Sequence, residues 1–409
     1  MRTLAVVALL VAFMTFPRDC NFLHAGEQPG LTTSRPEMND NNEDYDFACS
    51  LFRTIYEQKQ SDSSIVGSPI SVSYLLGMLN EGADGETRQQ ITDVLGLDKS
   101  AKEINLYFKK MMDEASNVDP KVTIKIANSI DVNSALNIDL IPQYKTDMQK
   151  YYQAQVDALD FNDSSSLSHI NDWCKTHTNG MIPKILNQLN PGAAMYLLNA
   201  IYFKASWKEQ FDPKDTHDRV FKRQDGTTVR LKMMYLNTKT GYGENDLCKT
   251  LRLTYGNGSY SMFVLLPKED KTVDDIIQSL SAQKLEQQRK NQMSTHEVDI
   301  LLPRFTTESE IDLKGILSSM GMPLAFNRLA AEFPNMATQN ALFVSMMKQK
   351  AKIEVSEEGT RAAAVTIAEM ELRSASLGKT FYATRPFVYY IVENDTGNLL
   401  FMGTYCGEE

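Results

Sequence analysis

The sequence predicts a single large α+β domain, and three observations carry that expectation. Helical periodicity dominates from about residue 45 to about residue 110, period-two alternation of apolar residues recurs in the middle and at the end, and no repeat or Gly/Ser linker divides the 409 residues. Helices early and strands later are not the regular alternation of a βαβ fold.

Taken in order, the chain opens with MRTLAVVALLVAFMTF, where Arg2 precedes an apolar run too short to cross a bilayer. This is the pattern of a secretory signal over residues 1–25, with cleavage after Ala25 in Leu23-His24-Ala25. Lipid modification at Cys20 is the alternative, disfavoured because Pro17-Arg18-Asp19 are not small. Secretion follows, to the extracellular space or, in a bacterium, to the periplasm or cell surface. Residues 26–44 are rich in Asn, Asp, Glu, Pro and Thr and read as a flexible N-terminal segment, so the folded domain is expected over residues 45–409.

FACSLFRTIYEQ puts its apolar residues on one helical face. SPISVSYLLGMLNEGADGETRQQITDVLGL holds two helix starts, with Ser68 before Pro69 and Asp84 before Glu86 expected to cap them. Strands are expected in VTIKIANSIDV and AMYLLNAIYFKASW, and again on both sides of the Gly256-Asn257-Gly258 turn. The C-terminal strands join at Asn394 to Gly397.

Composition excludes several classes. A net charge of −10 argues against a broad grip on nucleic acid, which needs clustered Lys and Arg. The cysteines (Cys20, Cys49, Cys174, Cys248, Cys406) are scattered without a CxxC pair and read as mostly free or buried thiols. The histidines (His24, His169, His177, His217, His296) form no HExxH, so no metal and no cofactor is expected. GxSxG, P-loop and dinucleotide signatures are missing too, leaving a hydrolase without a supporting motif. No second long apolar run follows the leader, so no membrane span is expected in the mature chain.

The most informative stretch is residues 353 to 384. Its Ala, Glu, Met, Leu and Arg suit an exposed helix, but the charges after Gly359 (Arg361, Glu369, Glu371, Arg373) all fall at odd positions. The even positions, Thr360, Ala362, Ala364, Thr366, Ala368, Met370 and Leu372, form an uncharged and mostly small face. That period of two suits a strand able to slide between existing strands.

Glu357-Glu358-Gly359-Thr360 followed by Ala362-Ala363-Ala364 and Thr366 resembles the hinge of inhibitory serpins. Other landmarks follow the family order: Ser68-Pro69-Ile70-Ser71, Asn199 to Lys204 leading to Trp207, Leu302-Pro303-Arg304-Phe305, Arg385-Pro386-Phe387 and Phe401-Met402-Gly403. The resemblance covers essentially residues 45–408. It implies the serpin fold: a large mixed sheet able to accept the reactive loop (about residues 358–380) as an extra strand, two smaller sheets and about eight or nine helices.

The same resemblance assigns Glu357, Glu358, Gly359, Thr360, Ala362, Ala363, Ala364 and Thr366 to the hinge. It assigns Trp207, Arg304 and Glu357 to a breach cluster, and Ser68, Ser71 and Gln349 to a shutter. The family's scissile bond lies sixteen residues after Glu357, which gives Arg373-Ser374. Arg before the bond suits trypsin-like proteases, whose pocket carboxylate pairs with guanidinium. The implied function is a secreted suicide-substrate inhibitor of such proteases, not an enzyme, acting as a monomer through a covalent acyl complex.

A non-inhibitory ligand carrier or chaperone is the alternative, and the small uncharged hinge speaks against it. Cuts at Met370, Leu372 or Lys379 would instead fit elastase-like, chymotrypsin-like or cysteine proteases. Three departures from the family pattern stand out: Gln349 replaces a frequent His, Met181 a frequent Lys, and Arg361 a usual acid. Gln cannot titrate, so no pH-sensitive shutter is expected. Lys102, Lys109 and Lys110 are too diluted by Glu103, Asp113 and Glu114 for a glycosaminoglycan site. Asn162, Asn257 and Asn394 lie in glycosylation sequons.

Overall fold

The computed structural model describes residues 41–58, 63–115, 119, 121–291, 295–338, 342–360 and 378–408. Asn39–Glu409 forms one compact unit. The proposed leader lies outside the described residues.

Among the described residues there are nine helices: Asn41–Gln58 (α1), Pro69–Gly82 (α2), Gly85–Leu95 (α3), Ala101–Ala115 (α4), Pro142–Tyr152 (α5), Ser164–His177 (α6), Val273–Ser279 (α7), Ala282–Asn291 (α8) and Leu313–Ser319 (α9). The early strands are Ile65–Gly67 (β1), Val122–Asn133 (β2), Gln155–Leu159 (β3), Met195–Ser206 (β4), His217–Lys222 (β5), Thr228–Glu244 (β6), Cys248–Tyr255 (β7) and Tyr260–Pro267 (β8). The later ones are Thr295–Pro303 (β9), Phe305–Asp312 (β10), Met346–Val355 (β11), Gly359–Thr360 (β12), Lys379–Tyr382 (β13), Phe387–Glu393 (β14) and Leu399–Tyr405 (β15).

Helix α1 begins four residues before Tyr45, so the flexible segment assigned to residues 26–44 ends too late: residues 41–44 are already helical. Both expected helix starts are in place, yet neither Ser68 nor Asp84 caps its helix with a side-chain hydrogen bond. Pro69 opens α2, where a missing N–H costs nothing. The Ser68 hydroxyl is engaged elsewhere, as described below.

One sheet runs β10-β11-β4-β2-β3, with β12 added on β4. It is mixed: β11 and β4 are parallel, as are β2 and β3, whereas β10–β11 and β2–β4 are antiparallel. The two smaller sheets share the long strand β6. Its first part pairs with β5 and β9 and its end with β7, giving the continuous order β1-β15-β14-β8-β7-β6-β9-β13.

Strand β4 is buried on both faces, which explains its nearly unbroken apolar run. Met195, Leu197, Ile201, Phe203 and Ala205 face the main core. Tyr196, Leu198, Ala200 and Tyr202 face a second cluster with Trp173 and Cys174 of α6 and with Met181, Ile182, Ile185 and Leu186. Met181 is therefore an apolar plug in that cluster, where an ammonium would be buried.

Candidate functional site: the seam between two parallel strands

The seam between β4 and β11 organises the site. Their parallel ladder runs from Met346 opposite Tyr196 to Lys352 opposite Tyr202 and then stops. Beyond it the chain turns at residues 356–359, closed by reciprocal backbone hydrogen bonds between Ser356 and Gly359. It comes back along β4 as β12, antiparallel, with Gly359 opposite Ser206 and Thr360 opposite Ala205. The outer neighbours are tied more firmly. Strands β10 and β11 pair from Phe305–Val355 to Asp312–Lys348. Ion pairs Lys348–Glu310, Lys350–Glu308 and Lys352–Glu354 line one face of this β10–β11 pair.

At the upper end, Trp207, Arg304 and Glu357, the residues assigned to the breach, lie around the turn at residues 356–359. The Arg304 guanidinium grips Glu357 in a forked pair, with Nε 3.1 Å from Oε2 and Nη2 on Oε1. The Thr216 hydroxyl donates to Oε1 at 2.7 Å. Burial pushes the Glu357 carboxyl up, but the hydrogen bonds from Arg304 and Thr216 outweigh it and hold the group below its ordinary value. The carboxylate is buried while the Arg304 side chain remains 49% exposed, so the cation keeps much of its hydration.

Trp207 stacks on Tyr255 with ring centroids 4.2 Å apart. Its Nε1 donates to the Ser356 carbonyl at 2.9 Å, and its backbone N–H donates to the Glu358 carbonyl at 2.9 Å. Phe211 N–H caps the Glu357 carbonyl at 2.9 Å. The turn is thus pinned by backbone and side chain together. Gly359 has φ 135°, and a Cβ there would lie 2.2 Å from the Ala205 carbonyl oxygen. Only glycine fits such a close approach.

At the lower end, Ser68, Ser71 and Gln349 are all buried. Gln349 reads the Ser68 backbone on both sides: its Oε1 accepts from Ser68 N–H at 2.8 Å and its Nε2 donates to the Ser68 carbonyl at 3.0 Å. The other Nε2 hydrogen reaches Asn199 Oδ1 at 3.3 Å, across the seam. Asn199 Nδ2 donates to Asn128 Oδ1 at 2.9 Å, and Asn128 Nδ2 to the Tyr152 carbonyl at 3.5 Å. Ser68 Oγ donates to Ser71 Oγ at 3.0 Å. Neutral amides therefore run from α2 through β11, β4 and β2 to the end of α5.

Of the hinge residues, Glu357, Glu358 and Gly359 sit at this turn, and Thr360 belongs to β12. Ala362, Ala363, Ala364, Thr366, Arg373 and Ser374 lie outside the described residues. Sequence reading missed Thr216, Phe211, Tyr255, Asn128 and Tyr152. Asn199 was read only as part of a family string.

The other expectations can be placed as well. Lys109 pairs with Asp113 at 2.5 Å and Lys110 with Glu114 at 3.8 Å, so two of the three lysines on α4 are locally neutralised. Cys49, Cys174 and Cys248 are free thiols and buried, Cys406 is buried too, and burial pushes the Cys49 and Cys174 thiols up to about 12. Asn162 and Asn257 are exposed. Asn394 instead spends its Nδ2 on the Gly258 carbonyl and Ser261 Oγ, a poor position for a glycan. No group of three or more metal-binding side chains and no helix long and apolar enough to cross a membrane occurs among the described residues.

Known proteins resemble this chain in sequence and fold. A match to the family described as Serpin (serine protease inhibitor) spans residues 42–407. Serpin B8 of Bos taurus is 32% identical over 365 residues, covering 88% of this chain and 96% of its own. Leukocyte elastase inhibitor A of Rattus norvegicus is 33% identical over 371 residues, covering 88% and 97%. The native-state crystal structure of the thermophilic serpin tengpin superposes with a TM-score of 0.83 at 31% identity, covering 92% of this chain and 96% of that one. The chain belongs to the serpin family.

Proposed function

We propose that the protein is a secreted suicide-substrate inhibitor of trypsin-like serine proteases, with Arg373-Ser374 as the reactive bond. The protease serine attacks the Arg373 carbonyl. The Arg373–Ser374 peptide bond breaks, an ester forms to the serine oxygen, and the hydroxyl proton leaves on the Ser374 amine. The freed loop then inserts between β4 and β11 and carries the acylated protease with it.

The observation that carries this reading is the antiparallel pairing of Gly359 and Thr360 on β4, the first step of such an insertion. Continuing that register sets Ala362 opposite Phe203, Ala364 opposite Ile201 and Thr366 opposite Asn199. Phe203 and Ile201 face the main core, so the small even-numbered side chains of the loop match the side with least room. Thr366 supplies a hydroxyl where Asn199 loses Gln349. About a dozen added hydrogen bonds, at about 1 kcal/mol net each, provide on the order of 10 kcal/mol. The native state must therefore be held kinetically.

Incubation with trypsin tests the proposal. An SDS-stable complex and a released peptide beginning at Ser374 are expected, and cleavage without a trapped complex overturns it. Elastase-type specificity, suggested by the name of the leukocyte elastase inhibitor relative, would show as a peptide beginning at Glu371 or Arg373 instead. Export is supported by the position of the apolar leader ahead of the family match, which begins at residue 42. Recovery of the protein from the medium of an expressing cell, cut after Ala25, checks it.

A further inference from the structure

Helix α6 covers the face of β4 beside the seam, and an acid is buried beneath it. Asp131 on β2 is 1% exposed. Its register neighbours are Asp157 on β3 and Tyr196 on β4, so it lies on the sheet face that α6 covers. Ser129 Oγ donates to Asp131 Oδ2 at 2.9 Å. Asp157 accepts from Gln155 at 2.5 Å and lies 2.8 Å from His169 Nε2, which ties α6 to β3.

The charged and titratable groups around Asp131 are thus Asp157 from β3, His169 from α6 and the Tyr196 phenol from β4. A cavity of about 590 Å³ lined by Asn128, Gln155, Trp173, Lys125, Lys145 and His177 meets this cluster at Gln155.

We propose that Asp131 is a proton-operated latch beneath α6, holding the helix on the sheet when protonated and loosening it when ionised. An ionised Asp131 places a second carboxylate beside Asp157 in a site with little water, and lifting α6 relieves both penalties. Desolvation raises the Asp131 carboxyl to about 7, with Asp157 adding to the rise and Ser129 and His169 opposing it.

The sign follows from that direction. With the group raised in the docked state and ordinary in the hydrated one, docking is fully favoured below the ordinary carboxylate range. It weakens as pH rises towards about 7 and changes no further above it. The shutter carries no titratable side chain and the breach carboxyl is held below its ordinary value, but His169 also ties α6 to Asp157, so the neutral Asp131 variants below are what isolate the latch. A loosened α6 frees the face of β4 that the odd-numbered loop residues must occupy. Inserted-strand formation is then faster at neutral than at mildly acidic pH.

The test needs no protease. The chain has two tryptophans, Trp173 on α6 and Trp207 at the breach. In protein labelled with 5-fluorotryptophan, each gives one ¹⁹F resonance, assigned with Trp207→Phe. Broadening by a soluble gadolinium chelate measures exposure, avoiding chemical shift because His177 sits 5.6 Å from the Trp173 ring. Broadening of Trp173 should climb severalfold from pH 5 to 7 and then level, while Trp207 stays constant. Asp131→Asn and the apolar Asp131→Leu should both give a flat, protected Trp173. A flat profile in the parent, or an unchanged climb in either neutral variant, overturns the latch.

Discussion

The two ends of the β4–β11 seam are closed in opposite ways. At the breach a buried carboxylate is gripped by a half-exposed arginine and a threonine hydroxyl, beside a loop that has already begun to pair with β4. At the shutter every member is neutral and buried, and the amide hydrogen bonds join one element to the next. A charged clasp close to water is cheap to open, since its cation regains hydration at once. A buried amide chain is costly to open unless the incoming strand replaces its bonds. If the loop inserts as proposed, the sheet should part from the breach downward.

Substitutions at the two ends should separate these behaviours. The largest effect is expected from Gln349→Ala, which leaves the Ser68 N–H and carbonyl and Asn199 Oδ1 without this partner. A loss of about 3–5 kcal/mol in urea unfolding, constant between pH 5 and 8, is the outcome. Gly359→Ala comes next. Its Cβ collides with the β4 backbone at positive φ, at about 1–3 kcal/mol of local strain. Trypsin should then cleave the loop mostly as substrate, seen as a rise in the ratio of cleaved to complexed protein on a gel.

Glu357→Gln should cost about 1–2 kcal/mol, and here pH discriminates. The Glu357 carboxyl is held below its ordinary value, so the clasp contributes fully above about 4.5 and is lost as pH falls through the folded value. The stability gap between parent and variant should be constant from pH 5 to 8 and close below 4.5. Thr216→Val, removing one donor to the same carboxylate, should cost about 1 kcal/mol. If Gln349→Ala showed the acid dependence and Glu357→Gln did not, the contrast between the ends would be broken.

Much of this was legible in the sequence, for local reasons. Ser68-Pro69, the Gly256-Asn257-Gly258 turn and the Glu357-Glu358-Gly359 string each act through backbone geometry written in neighbouring residues. The even-numbered small face of residues 360–372 was readable from its period, and of it only Thr360 lies among the described residues, opposite Ala205 on β4. Partners chosen by tertiary packing were not readable. Thr216 reaches Glu357 across 141 positions, and Asn128 meets Tyr152 only because α5 ends beside β2. Asp131 sat unnoticed in an apolar strand, since its burial depends on where α6 lands. The capping role read for Ser68 failed because a buried site had already claimed its hydroxyl.

Thermal unfolding of the protein before and after a single cut in the reactive loop tests the central claim most directly, because insertion adds a strand to the seam whatever protease makes the cut. A substantially higher midpoint after cleavage is predicted, as Gly359-Thr360 extends into a full strand on β4. An unchanged midpoint would mean that the seam does not open.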